Sequence, residues 1–181
     1  FAPRIGYGGA TNDPGGEGAA FWFRGPNNIV RNNVAANVDV FGYGIAAGAI
    51  EEVRVPAFKG ADNSQTGEYK LIDDVDTPLM EFTGNEAYGA ILNGVALGWN
   101  GTISNMRVWH ASRDAVAVFP ADRLIVDGLT VRGDAAILAD PTESPTGVWF
   151  SNYSAKSVTV RNANVQAVRV GVASPFFPNA S

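Results

Sequence analysis

At 181 residues, 46% hydrophobic and 17% charged, the chain suits one domain able to bury a proper core. A net charge of −5, with no cluster of lysine or arginine, argues against a nucleic-acid partner, whose phosphates need a basic surface. Cysteine is absent, which removes disulfides, thiolate metal sites and cysteine nucleophiles.

The 21 glycines and 10 prolines favour short strands joined by turns. No apolar run approaches the roughly 18 residues of a membrane helix, and no signal peptide is visible. The chain starts at Phe1 rather than methionine, so a processed product or a piece of something longer is expected.

The first stretch, "APRIGYGGATNDPGGEG", reads as a glycine-rich loop, and "AFWF" around Phe21 as a first short strand. Then "NNIVRNNVAANVDVFGYGI" sets Asn32 and Asn33 between Val30 and Val34. That arrangement recurs as apolar, any, Asn or Gly, any, any, Val or Ala. The five matches run Val30 to Ala35, Phe82 to Ala87, Ile103 to Val108, Val126 to Val131 and Val160 to Val165. Their third residues are Asn32, Gly84, Asn105, Gly128 and Asn162. Gly84 to Asn105 spans 21 residues and Asn105 to Gly128 spans 23. Repeats of this length mark a solenoid.

A second apolar strand is expected about ten residues after each turn: "YGIAA", "GVALG", "AVAVF", "AAILA" and "RVGVA". "AFWF" and "GVWF" look like further copies. Polar, proline-bearing inserts occupy about 48–78 and 139–146. Short valine-rich strands with no helical period predict an all-β chain, a right-handed parallel β-helix of about five to seven coils with two loop insertions. Coils in such a solenoid stack about 4.8 Å apart. Asparagine and glycine suit its corners, because both tolerate left-handed backbone angles. Stacked asparagines are expected to bond the coils above and below, satisfying their amides in the interior. The alternative, a sandwich with asparagine-rich hairpins, needs two-residue turns that these segments lack.

The stretches "AAFWFRGPNNIVRNNVAANVDVFGYGI", "PLMEFTGNEAYGAILNGVALG" and "ISNMRVWHASRDAVAVFP" resemble the β-helix region of the cell-migration-inducing hyaluronidase family. That group includes the transmembrane hyaluronidase, fibrocystin-like proteins and exported bacterial relatives. The resemblance spans about residues 19 to 172. It implies a secreted or surface-exposed protein that handles glycosaminoglycan-like polysaccharide. The family's segment of closely spaced histidines has no counterpart here, where the one histidine is His110.

His110, Arg113 and Asp114 fall on one coil and form a candidate acid–base set, since a carboxylate can orient an imidazole. The plainer reading has His110 starting a loop and Arg113 pairing with Asp114 or with solvent. Asp73, Asp74 and Asp76 in "LIDDVDTP" offer oxygen ligands for calcium, without the spacing of an EF-hand. Trp22, Trp99, Trp109 and Trp149, with Tyr43, Tyr88 and Tyr153, could stack on sugar rings, or pack inside or between coils. "VRGD" at Val131 to Asp134 fits a plain turn after a strand.

Two further expectations follow from the coil register. Glu86 and Arg107, fifth in successive repeats, should lie side by side as an ion pair. The first coil has no visible cover and the last could be plugged by Phe176 and Phe177. The ends are therefore expected to meet another polypeptide or the rest of a longer solenoid.

Overall fold

The computed structural model describes residues 18–23, 28–45, 51–54, 63–72, 78–98, 100–119, 123–150 and 157–173. Strand β1 (Phe21–Phe23) comes first, followed by β2 (Ile29–Arg31), β3 (Val34–Ala36) and β4 (Phe41–Ile45) as the first full coil. The insert after it carries β5 (Glu51–Arg54) and β6 (Tyr69–Ile72), an antiparallel pair standing apart from the coils. The second coil is β7 (Glu81–Thr83), β8 (Glu86–Tyr88) and β9 (Asn93–Leu97). The third is β10 (Gly101–Ser104), β11 (Arg107–Trp109) and β12 (Asp114–Val118). The fourth is β13 (Arg123–Asp127), β14 (Thr130–Arg132), the short helix α1 (Ala135–Ala139) and β15 (Thr146–Phe150). The fifth is β16 (Ser157–Arg161), β17 (Asn164–Gln166) and β18 (Val170–Ala173).

Strands in the same place on successive coils pair in parallel and form three sheets. The first runs β2-β7-β10-β13-β16, the second β3-β8-β11-β14-β17, and the third β1-β4-β9-β12-β15-β18. The chain is a right-handed parallel β-helix. Its interior is built from columns in register. Val30, Phe82, Ile103 and Val126 line the first sheet, and Ala35, Ala87, Val108 and Val131 the second; all are buried. Tyr43, Val95, Val116 and Val148 line the third, each 0% exposed. Alternation along each short strand gives every coil at least one inward apolar residue per wall, and two on longer strands such as β9 (Val95, Leu97), so the core is continuous along the axis.

The corner between the first two sheets carries the repeat's third residue. Asn32, Gly84, Asn105, Gly128 and Asn162 all have φ between 52° and 74°. The predicted corners stand, but the predicted interior amides do not. Asn32, Asn105 and Asn162 are exposed, because a left-handed residue at this bend turns its side chain to solvent. The inward position is the next one, where Asn85 is 0%, Met106 1% and Leu129 0% exposed. The interior amide is Asn85. Its Oδ1 accepts from the Asn33 backbone N–H at 3.0 Å, and its Nδ2 donates to the Val30 carbonyl at 2.8 Å. One coil ladder is thus polar inside, and the coils after it fill the same slot with apolar side chains.

The exposed asparagines explain their alternation with glycine. A Cβ on Gly128 would stand 2.8 Å from Asn105 Oδ1, and Gly84 meets Asn32 in the same way. Each asparagine leans over the next corner, where both the space and the positive φ favour glycine.

One expected strand is a helix. "AAILA" forms α1, and its slot in the third sheet goes to "TGVWF", which pairs with β12 in register. Two alanines open the segment, and Asp134 caps it, its side chain accepting the Ala136 N–H at 2.8 Å. None of its residues is buried, so α1 is an external turn within the fourth coil, between β14 and β15.

The two ends of the described stack differ in cover. In the first coil Val30 and Ala35 are buried, with Phe21 stacked 5.0 Å from Tyr43. The corresponding valines of the last coil, Val160 and Val165, are only half-buried, and Val172 is 49% exposed. Phe176 and Phe177 lie outside the described residues.

A candidate carbohydrate-binding face on the second sheet

The three walls present different surfaces. In the third sheet β9 and β12 are buried at every position, so both faces of that wall are covered. Its outward column holds Trp22, Gly44, Ala96, Ala117 and Trp149. The Trp22 ring lies against Gly44, leaving no room there for a Cβ, and the Arg113 guanidinium sits 5.9 Å from the Trp149 ring centre. These two tryptophans serve as lateral packing. Tyr43 is interior: its hydroxyl donates to the Asn33 carbonyl at 2.8 Å, and burial pushes the phenol up to about 12. Trp99 and the acidic trio Asp73, Asp74 and Asp76 lie outside the described residues. Among the described residues no group of three acidic or histidine side chains could hold a metal ion.

The second sheet turns an open face outward. Short strands of three residues place the first and third side chains outside and the middle one in the core. One outward column is Val34, Glu86, Arg107, Thr130 and Asn164; the other is Ala36, Tyr88, Trp109, Arg132 and Gln166. Tyr88 is 44% exposed and Trp109 half-buried, and they are direct neighbours on adjacent strands. Two aromatic side chains therefore start from strands about 4.8 Å apart along the axis, with the guanidinium of Arg132 and the amide of Gln166 continuing the column.

The polar groups around these rings are mutually engaged. Arg107 Nε lies 3.2 Å from Glu86 Oε2, the ion pair expected from the repeat register. Arg132 Nη1 donates to the Val131 carbonyl at 3.1 Å and to Asn164 Oδ1 at 3.3 Å. His110 follows Trp109 at the corner between the second and third sheets, with φ 54° like its stacked counterparts Asn37 and Gly89. Its ring meets Tyr88 edge-on at 5.4 Å, and its Nδ1 lies 3.2 Å from Asp134 Oδ2. The Ala136 N–H, and then His110, hold the Asp134 carboxyl below the ordinary range.

His110, Arg113 and Asp114 do not converge. Arg113 Nε is 3.6 Å from Asp114 Oδ2, as the plainer reading of these residues expects, while His110 bonds Asp134 instead. Asp114 is 4% exposed in a polar column between Asn93 and Thr146, and Asn93 Nδ2 donates to it at 3.1 Å. Burial pushes its carboxyl up, against the pull of Arg113 and the Asn93 amide. It is a structural carboxylate between coils.

Asp134 is the partner that sequence reasoning missed. The signal was present: Asp134 lies 24 residues beyond His110, one coil away, where stacking brings corners together. "VRGD" is the end of β14 followed by the cap of α1, a turn after a strand. Comparison with protein-family models, with curated proteins and with solved structures finds no match. Among the described residues no helix is long and apolar enough to cross a membrane.

Proposed function

We propose that this solenoid is a secreted or surface-displayed module that binds polysaccharide on the outward face of its second sheet. The observation that carries the reading is the pair Tyr88 and Trp109, side by side on adjacent coils with their rings reachable from solvent. Sugar rings present apolar C–H faces that stack on aromatic rings while hydroxyls bond the polar rim. The resemblance to the hyaluronidase family supports the same substrate class. The activity proposed is binding rather than turnover. Both carboxylates beside the rings are occupied, Glu86 with Arg107 and Asp134 with His110 and the cap of α1. Calcium at Asp73, Asp74 and Asp76 is an additional proposal, tested by the effect of a chelator on melting.

A glycan array probed with the purified chain tests the reading. Retention of a defined polysaccharide, lost on Trp109→Ala, supports it; no retention of any acidic or neutral glycan ends it.

A second reading rests on a separate observation, the half-open valines of the last coil. In that reading the chain is a structural segment whose end meets another polypeptide. A monodisperse monomer in solution, with no change on adding candidate solenoid partners, counts against it.

A further inference from the structure

Charge accounting on the second sheet narrows the ligand. Resting on the carbohydrate reading above, we propose that the polysaccharide is uncharged and lies along the solenoid axis, across Tyr88 and Trp109. The direction follows from the arrangement of the platforms. The two rings belong to one column, stepping from coil to coil, whereas the flanking Glu86 and Arg107 form a parallel column beside them. A chain laid along the axis meets a new side-chain row at each coil. One laid across the sheet meets only two outward columns before the wall turns at the corners.

The neutrality follows from the partners of every charged group on that face. Arg107 is paired with Glu86, and His110 with Asp134. Arg132, with no carboxylate within ion-pair distance among the described residues, spends Nη1 on a backbone carbonyl and the Asn164 amide oxygen. A polyanion would have to break these pairs or lie against Glu86 and Asp134, with Arg132 as the one cation on that face not already paired with a carboxylate among the described residues, on a chain whose net charge is already −5. Hydroxyls carry no such cost. They can accept from guanidinium and amide N–H groups and donate to the carboxylate oxygens in place. This departs from the glycosaminoglycan-like substrate that the family resemblance implies.

The experiment is a calorimetric titration with paired oligosaccharides: an oligogalacturonate and its carboxyl-reduced neutral counterpart, supplemented by neutral gluco- and xylo-oligosaccharides. Binding of a neutral member is expected, unchanged between low and moderate salt, with the oligogalacturonate at least tenfold weaker. Trp109→Ala should weaken that binding about tenfold, and Tyr88→Ala somewhat less. Thr102→Ala, on the outward face of the first sheet, should leave it unchanged and serves as the folding control. Preferential binding of the oligogalacturonate, falling steeply with salt, overturns the neutral assignment while leaving the carbohydrate reading standing. Binding lost equally in Thr102→Ala and Trp109→Ala overturns the placement on the second sheet. If neither member of any pair binds, the carbohydrate reading itself fails.

Discussion

The first and last coils of this solenoid obey the same sequence pattern and end up in different states. In the first, Val30 is 5% and Ala35 1% exposed, and Tyr43 is sealed beneath Phe21. In the last, the inward residues of β16, Val158 and Val160, are only half-buried, and those of β18 are largely open. An inward side chain in a β-helix is buried by its own coil and by the coils on both sides. β2 and β3 are edge strands just as β16 and β17 are. The first coil therefore owes its burial to Phe21 and Phe23, which pack against the core, and the described part of the last coil carries no such ring. Identical residues there bury less area and contribute less. The repeat thus sets which residues point inward, while position along the stack sets how much each is worth.

The largest effect should come from the polar slot of the second coil, which bonds back to the first. Asn85 satisfies the Asn33 N–H and the Val30 carbonyl from inside the core. Asn85→Met installs the residue used one coil later at Met106, removes the side-chain acceptor of the Asn33 N–H and takes away one donor from the Val30 carbonyl. Urea unfolding should show a loss of about 1–3 kcal/mol, the cost of leaving a backbone group short of its partner. Met106→Leu, a volume-conserving swap in the apolar part of the same column, should cost less than about 1.5 kcal/mol. Equal losses would mean that the first two coils do not depend on the amide.

A like-for-like test follows one column upward. Val126 and Val160 are register partners, one in the fourth coil at 1% exposure and one half-open in the fifth. Val126→Ala should cost about 2 kcal/mol from lost burial and a residual cavity. Val160→Ala should cost less than half as much. Equal costs would show that the last coil is covered in solution, favouring an end-on partner.

Acid should act in opposite senses on the two kinds of carboxylate. Asp127, held low first by the Asn162 amide and then by Arg161, contributes stability that is present above the unfolded value of about 3.9. That contribution is lost as pH falls through its lower folded value. Asp114 is raised by burial, so its contribution is fully present below about 3.9 and lost as pH rises through its raised folded value. Melting temperatures across pH 3 to 7 therefore provide a check. Relative to the native chain, Asp114→Asn should gain as pH rises and Asp127→Asn should gain as pH falls. Parallel profiles for the two variants would refute the assignment.

Much of the fold was legible because a parallel β-helix writes its register directly into sequence. A five-fold repeat with glycine or asparagine at one place fixed the corners, and the same register paired Glu86 with Arg107. Three features were not legible, each for a local reason. Whether Asn32 or Asn33 faces inward depends on a single left-handed residue, and propensity alone does not assign it. "AAILA" satisfies a strand pattern as well as a helix, and the deciding group is the cap Asp134. The His110–Asp134 contact joins residues remote in sequence, visible only once coil spacing is applied to side chains outside the repeat. The aromatic face was half legible. The tryptophans stood out, but two of them share the covered third wall, and the ring beside Trp109 is a tyrosine.

The smallest effect tests the register itself. Glu86 and Arg107 occupy the fifth repeat position on adjacent coils, and their side chains meet at 3.2 Å on an open face, with Arg107 53% exposed. Water screens such a pair and holding two long side chains together costs entropy, so its coupling should lie within about 0.2–1 kcal/mol. A double-mutant cycle with Glu86→Gln and Arg107→Gln isolates that coupling from each residue's other contacts. The coupling should shrink at high salt, because both groups reach solvent. Arg161 of the fifth coil and its fourth-coil partner Asp127 supply the matching cycle, with Nε at 3.0 Å and Nη2 at 2.9 Å from one carboxylate oxygen. That closer contact sits on the less covered coil, and should show the larger coupling only if the last coil holds its register in solution. A fifth-coil coupling near zero, beside a measurable one at Glu86 and Arg107, would place fraying of the stack between β13 and β16.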